Sequence, residues 1–191
     1  MMPAKVVVLN GVGSAGKSTV AKALQQIAEE PFLHVEMDAF LAMLPETYQD
    51  HPDGLVFEPL TEEGVAAMAV RTGAVAERAL KGMRHAVAAL AGAGNNLIVD
   101  EVLFGDAATQ HGNAVADYRA LLAPYRVWFV GVFAPLDVLE ARERRRGDRH
   151  LGLARWQFDR VHHGMTYDLE VDTAAAGPAD CARIIKERFG L

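Results

Sequence analysis

The sequence predicts an α/β fold: a five-stranded parallel sheet with helices on both faces, closed by a short lid. Three observations carry this. Short, nearly continuous apolar runs recur five times, helical patterns lie between them, and the first run empties into a glycine-rich loop that leads straight into a helix. Strands buried on both faces read as unbroken apolar runs, and parallel neighbours need a crossover that is usually helical. Ligands of such sheets collect beyond the carboxyl ends of the strands, so chemistry is sought after each strand and not before it. With 191 residues, 51% of them apolar, a single domain over 1–191 suffices, since a chain of this size buries roughly 70% of its unfolded surface.

The elements run in order. VVVLN (6–10) is the first strand and 17–29 the first helical pattern; FLHVEM (32–37) is the second strand. LPETYQDHPDGLVFEPL carries three prolines and little periodicity, and is expected to form an irregular flap over the site at about 45–60. The alanine-rich stretch 62–92 reads as one long helix, started by Thr61-Glu62-Glu63 and stopped by Gly92-Ala93-Gly94. Gly64, Gly73 and Gly82 each weaken it by up to about 1 kcal/mol relative to alanine, which allows a break within it. NLIVDEV (96–102) is the third strand, 107–122 a helix, and VWFVGVF (127–133) the fourth strand. Helices at 135–146 and 153–163, the strand DLEV (168–171) and a helix at 178–189 complete the chain, with no internal repeat, linker or low-complexity segment.

The formal charge of −6 argues against general nucleic-acid affinity, which needs clustered cations to displace phosphate counterions. The first apolar run is about eight residues, too short to span a bilayer, and no signal peptide precedes it, so a cytoplasmic protein without a membrane partner is expected. The single cysteine, Cys181, has no partner for a disulfide and is expected to pack in a helix.

Two phosphate-binding fingerprints overlap in GVGSAGKST. Gly11-x-Gly13-x-x-Gly16 is the turn of a dinucleotide-binding dehydrogenase, and Gly11-x-x-x-x-Gly16-Lys17-Ser18 is a P-loop. Both need glycine because the backbone must approach a phosphate closely. The two residues after Gly16 decide between them. Lys17 offers an ammonium to β- and γ-phosphates and Ser18 a hydroxyl to Mg²⁺, neither of which a dinucleotide requires. Asp38, at the end of the second strand, sits where a dehydrogenase would hold a ribose, and also where a kinase would place a base against an acceptor hydroxyl; as a third use it suits the cap of the following AFLAML helix. Asp100-Glu101 ends the third strand as a magnesium-binding carboxylate does, with Asp100 and Ser18 the expected ligands. RERRRGDR brings Arg142, Arg146 and Arg149 to one face of a helix end, where guanidinium forks suit a phosphoryl group in transfer. His162 and His163 are expected at a helix end or surface.

GVGSAGKS, VEMDAF, LIVDEVLF, RGDR and VHHGMTYDLEVDT together resemble the chloramphenicol phosphotransferase-like kinases over most of the chain. The resemblance implies a P-loop kinase fold that transfers phosphoryl from ATP, with Mg²⁺, to a small-molecule hydroxyl. Gly11, Val12, Gly13, Ser14, Ala15, Gly16, Lys17, Ser18 and Thr19 would then bind the nucleotide together with Arg142. Asp38 would serve as base, and Arg146 and Arg149 would lie in the lid, about 142–152. The match is weakest in the flap and the long helix, where the acceptor binds. The apolar residues Phe40, Met43, Leu44 and Phe57 beside Asp38, and the absence of Arg or Lys between Lys22 and Arg71, favour a neutral, partly aromatic, chloramphenicol-like acceptor. A UDP-sugar kinase of the zeta-toxin type, a nucleotide kinase, and a nucleotide-dependent binding protein without an acceptor stay open, as does the oligomeric state.

Overall fold

The structure is a computed structural model and describes residues 3–104, 114–147 and 150–191. Arg149 and the first part of the helix expected at 107–122 lie outside the described residues. Chain order is β1 (Lys5–Asn10), α1 (Lys17–Ile27), β2 (Phe32–Glu36), α2 (Met37–Leu41), a 3₁₀ turn at Glu46–Tyr48, β3 (Leu55–Glu62), β4 (Val65–Thr72) and α3 (Ala74–Gly92). It continues with β5 (Asn96–Glu101), α4 (Ala114–Leu121), β6 (Arg126–Phe133), α5 (Leu136–Arg146), α6 (Leu153–Val161), β7 (Leu169–Asp172) and α7 (Pro178–Phe189).

Five parallel strands form the main sheet in the order β2-β5-β1-β6-β7. The alternation along β1 explains its two-sided burial. Val7 and Leu9 face a layer built with Val20, Ala21 and Leu24 of α1 and Ile185 of α7. Val6 and Val8 face the opposite layer, with Met83 and Val87 of α3 and Tyr118 of α4. Cys181 is fully buried in the first layer, which is the packing role expected of it. Because β1 pairs with β5 on one side and β6 on the other, the chain emerges from Asn10 between the ends of two other strands. This is the crevice where doubly wound sheets bind ligands.

The region before α3 departs from the expectation. Where the sequence predicts an irregular flap at about 45–60 and then a long helix from 62, residues 45–54 hold only a 3₁₀ turn and irregular chain, and residues 55–72 form an antiparallel hairpin, with Leu55 opposite Thr72 and Glu62 opposite Val65. Its two-residue turn, Glu63 and Gly64, has φ of 50° and 80°, the left-handed pair that matches the twist of a hairpin. The supposed start of a helix is therefore a turn, and only Ala74–Gly92 is helical. Alanine misleads here: Ala67 and Ala69 alternate inward along β4 and are buried, so packing overrides their helical preference. The hairpin leans on α6 and the residues just before it. Met68 N–H donates to the Gly152 carbonyl at 3.1 Å, Arg160 pairs with Glu62 at 2.7 Å, and Phe57 stacks on His150 with ring centres 3.9 Å apart.

Candidate active site

The loop after β1 is shaped by its surroundings. A Cβ on Gly11 would come within 2.4 Å of the Val132 carbonyl oxygen, a distance no side chain tolerates, so only glycine lets the chain turn beside β6. Ser14 (φ 65°) and Gly16 (φ 92°) are left-handed, and α1 begins at Lys17 directly after them. Its N-terminal N–H groups therefore open onto the crevice, a ready anion site.

Lys17 is buried; its Nζ donates to the Gly11 carbonyl at 2.8 Å and the Val12 carbonyl at 3.2 Å, and lies 3.9 Å from Asp100 Oδ1. Ser18 Oγ donates to Asp100 Oδ2 at 2.5 Å. β1, β2 and β5 run in register, with both Leu9 and Glu36 opposite Asp100, so the strand ends deliver these groups together. Burial works to raise the Asp100 carboxyl, but the facing His34 ring, the Lys17 ammonium and the Ser18 hydroxyl outweigh it and hold the group below the usual carboxylate range. Asp100 is thus ionised beside a hydroxyl, a hard-oxygen pair suited to Mg²⁺.

Three contacts that the sequence did not reveal brace the loop. Gly13 N–H donates to Gln157 Oε1 of α6 at 2.7 Å. Thr173, just past β7, donates its hydroxyl to the Ala15 carbonyl at 2.7 Å. Arg142 donates to Thr173 Oγ1 at 2.8 Å and to the Thr173 carbonyl at 2.9 Å, with weaker reaches of 3.4 and 3.5 Å to Ala15 and Ser14. Arg142, assigned from sequence to the nucleotide, turns both terminal nitrogens of its guanidinium to the loop and Thr173 in this structure. Arg146 does line the cavity, and α5 ends there with Gly147 as its left-handed cap. Glu143, 3% exposed, accepts from the N–H groups of Gly152 and Ala154 at 2.7 and 2.8 Å and fixes the start of α6 beneath the lid.

One cavity of about 650 Å³ joins these parts. Lys17, Ser18 and Thr19 line it together with Asp38, Leu41, Phe57, Leu80 and Arg84. Asp38 is not the cap of α2, as the sequence also allowed: the helix begins at Met37, so Asp38 sits within its first turn. That shift of register also decides the apolar wall. Met37, Leu41 and Ala42 share the face of Asp38 and line the cavity, as does Phe57 from β3. Phe40 instead packs into the core layer under α3, Met43 is 68% exposed, and neither these two nor Leu44 is among the lining residues.

Arg84 and Glu101, which line the cavity, belong to a buried polar cluster. Tyr118 OH donates to Glu101 Oε2 at 2.5 Å, and Arg84 reaches Glu101 Oε1 at 3.5 Å and Asp117 Oδ2 at 3.2 Å. Burial pushes the Glu101 carboxyl up to about 7, with the Asp100 charge adding to the rise and Tyr118 and Arg84 opposing it. Nothing in the sequence singled out Arg84. His162 closes α6 as expected, half-buried and stacked on Phe133 at 3.8 Å, and burial with the nearby Lys17 charge lowers it to about 4.

The chain is similar to known proteins. The family model described as "Chloramphenicol phosphotransferase-like protein" matches residues 4–190. A Mycobacterium tuberculosis protein provisionally named an O-phosphotransferase is 31% identical over 194 aligned residues, covering 99% of this chain and 84% of that protein. Among solved structures, a sugar kinase from Janibacter sp. superposes with a TM-score of 0.65 at 21% identity, covering 98% of this chain and 95% of its own. The Mycobacterium tuberculosis APS kinase in complex with AMPPNP and APS superposes with a TM-score of 0.64 at 16% identity, each chain covered in full at 100%. A gluconokinase from Sinorhizobium meliloti gives 0.61 at 19% identity, covering 100% of this chain and 94% of its own. No helix among the described residues is long and apolar enough to cross a membrane. With a P-loop at the switch point of a five-stranded parallel sheet and a family match that runs nearly end to end, the chain belongs to the chloramphenicol phosphotransferase-like family of P-loop kinases.

Proposed function

We propose that the protein transfers the γ-phosphoryl group of ATP to a hydroxyl of a small, neutral, partly apolar acceptor of the chloramphenicol type, in the cytoplasm. The observation that supports this most is that Lys17, Ser18 and Asp38 line one and the same cavity. A phosphate held on the loop and an alcohol held by Asp38 would meet within it. Ser18 and Asp100 would hold Mg²⁺, which supplies charge neutralisation at the phosphates. Lys17, freed from its loop carbonyls, would follow the phosphate, and Arg146 would close on the transferring group from the lid, joined by Arg149. A carboxylate cannot ionise an alcohol in the ground state. Asp38 would therefore orient the hydroxyl and take its proton late, which suits a loose transition state in which the new bond forms last.

Leu41, Leu55, Phe57 and Val70 supply the apolar wall of the acceptor end. Its arginine, Arg84, already faces Glu101 and Asp117, which leaves little for a phosphorylated acceptor to bind. Transfer of a radiolabelled γ-phosphoryl from ATP is the test, with chloramphenicol-type primary alcohols in one arm and UDP-N-acetylglucosamine in the other. Label on the alcohols is the expected result. Label only on the UDP-sugar would overturn the neutral acceptor, and nucleotide binding with no label on either would favour a nucleotide-dependent binding protein.

A further inference from the structure

Beside Asp100 stand two further donors, His34 and Glu36, that the proposed phosphoryl transfer does not use. His34 lies on β2 two residues before Glu36, so both side chains emerge on the same face of the strand, toward the end of β5. His34 Nε2 lies 3.7 Å from Asp100 Oδ2, and His34 Nδ1 lies 3.7 Å from Glu36 Oε1. One ligand atom from each of His34, Glu36 and Asp100 falls within 4.8 Å of the others. The imidazole is 8% exposed, and its Nε2, aimed at Asp100, has no hydrogen-bond partner. A buried ring nitrogen just beyond hydrogen-bond distance loses part of what a good partner would give, on the order of 1–3 kcal/mol, and an ion between it and Asp100 would restore that.

We propose that His34, Glu36 and Asp100 form a binding site for a borderline divalent cation such as Zn²⁺ or Co²⁺, distinct from the nucleotide's Mg²⁺ although it shares Asp100, and independent of the phosphoryl-transfer reading. The donor set decides the class of ion. One imidazole and two carboxylates suit zinc-like ions, whereas Mg²⁺ prefers oxygen ligands and water. Ligand atoms bonded to one such ion at about 2.1 Å stand roughly 3.4 Å apart in a tetrahedral arrangement. The 3.7 Å from Nε2 to Asp100 needs only a small closure, and Glu36, with a side chain 37% exposed, is placed to swing in. The fourth position opens to the cavity that Glu36 and Asp100 line, so an ion can enter from there. The ordinary alternative is His34 held between two carboxylates with no ion.

Titration of the nucleotide-free protein with Zn²⁺ by calorimetry, and with Co²⁺ followed by its visible absorption, separates the two. The expected result is one ion per chain, with Co²⁺ bands of low coordination number. His34→Ala and Glu36→Gln should each weaken binding by on the order of 100-fold, at the upper end of what loss of even an outer partner costs a metal site. His34→Gln, which keeps the polar volume, is read in place of His34→Ala should the latter fail to fold, and the thermal transition of each variant checks this. No ion bound by the wild type, or wild-type affinity in any folded variant, overturns the site.

Discussion

Glu101→Gln should stabilise the protein, and increasingly so as pH rises. Glu101 is 2% exposed, and its carboxyl rises from 4.5 to about 7 in the folded state. An acid whose folded value is raised favours the protonated form in the fold. Its contribution is therefore most favourable below pH 4.5, declines as pH climbs from about 4.5 to 7, and is constant above. Each tenfold change in proton affinity between the folded and unfolded chain is about 1.4 kcal/mol, so the ionised side chain costs the wild type about 3 kcal/mol at pH 8 and about 1 kcal/mol at pH 5. Glutamine keeps the shape and an acceptor for the Tyr118 hydroxyl, at 2.5 Å from Glu101 Oε2, and does not ionise. The difference between variant and wild type should thus grow by about 2 kcal/mol from pH 5 to 8, or roughly 4–8 °C in Tm for a chain of this length. Scanning calorimetry across that range measures it. A difference that stays flat with pH would show that Glu101 does not titrate in this window and would refute the electrostatic reasoning.

The loop yields two further outcomes. Gly11→Ala must push the Val132 carbonyl, 2.4 Å from the new Cβ, and should cost about 1–3 kcal/mol, as overpacking does, while removing ATP binding measured by calorimetry. Arg142→Ala leaves Thr173 bonded to the Ala15 carbonyl at 2.7 Å but deletes two good hydrogen bonds, so it should lower stability by about 1–3 kcal/mol and weaken ATP by roughly tenfold through a looser loop; an unchanged affinity would show that the brace is idle.

The main sheet was legible because each of its strands announces itself locally. VVVLN, LIVDE and VWFVGVF are buried on both faces, and their apolar runs place β1, β5 and β6 to within a residue or so. The loop was legible for the same reason, since Gly11 to Ser18 is one contiguous segment. The hairpin was not, because alanines at Ala67 and Ala69 carry little strand signal and the Glu63-Gly64 turn resembles a weak helix start. The acceptor wall depends on where α2 begins: starting at Met37, the helix turns Leu41 toward Asp38 and Phe40 into the core. Gln157, Thr173 and Arg84 act across long stretches of chain, and nothing local marks a glutamine in α6 as the partner of Gly13. The VHHGMTYDLEVDT segment, which ends in Asp172 and Thr173, drew attention to that stretch but did not show that Thr173 bonds the Ala15 carbonyl.

Turnover of Asp38→Asn tests the central claim most directly. Asparagine keeps the size and the place in the first turn of α2 but cannot take a proton. With Mg²⁺, ATP and the best alcohol acceptor, acceptor-dependent ADP release should fall by roughly 10²- to 10⁴-fold, the usual contribution of a general base, while ATP affinity measured by calorimetry stays at the wild-type value. Wild-type turnover in this variant would contradict the assignment of Asp38 to the reacting hydroxyl.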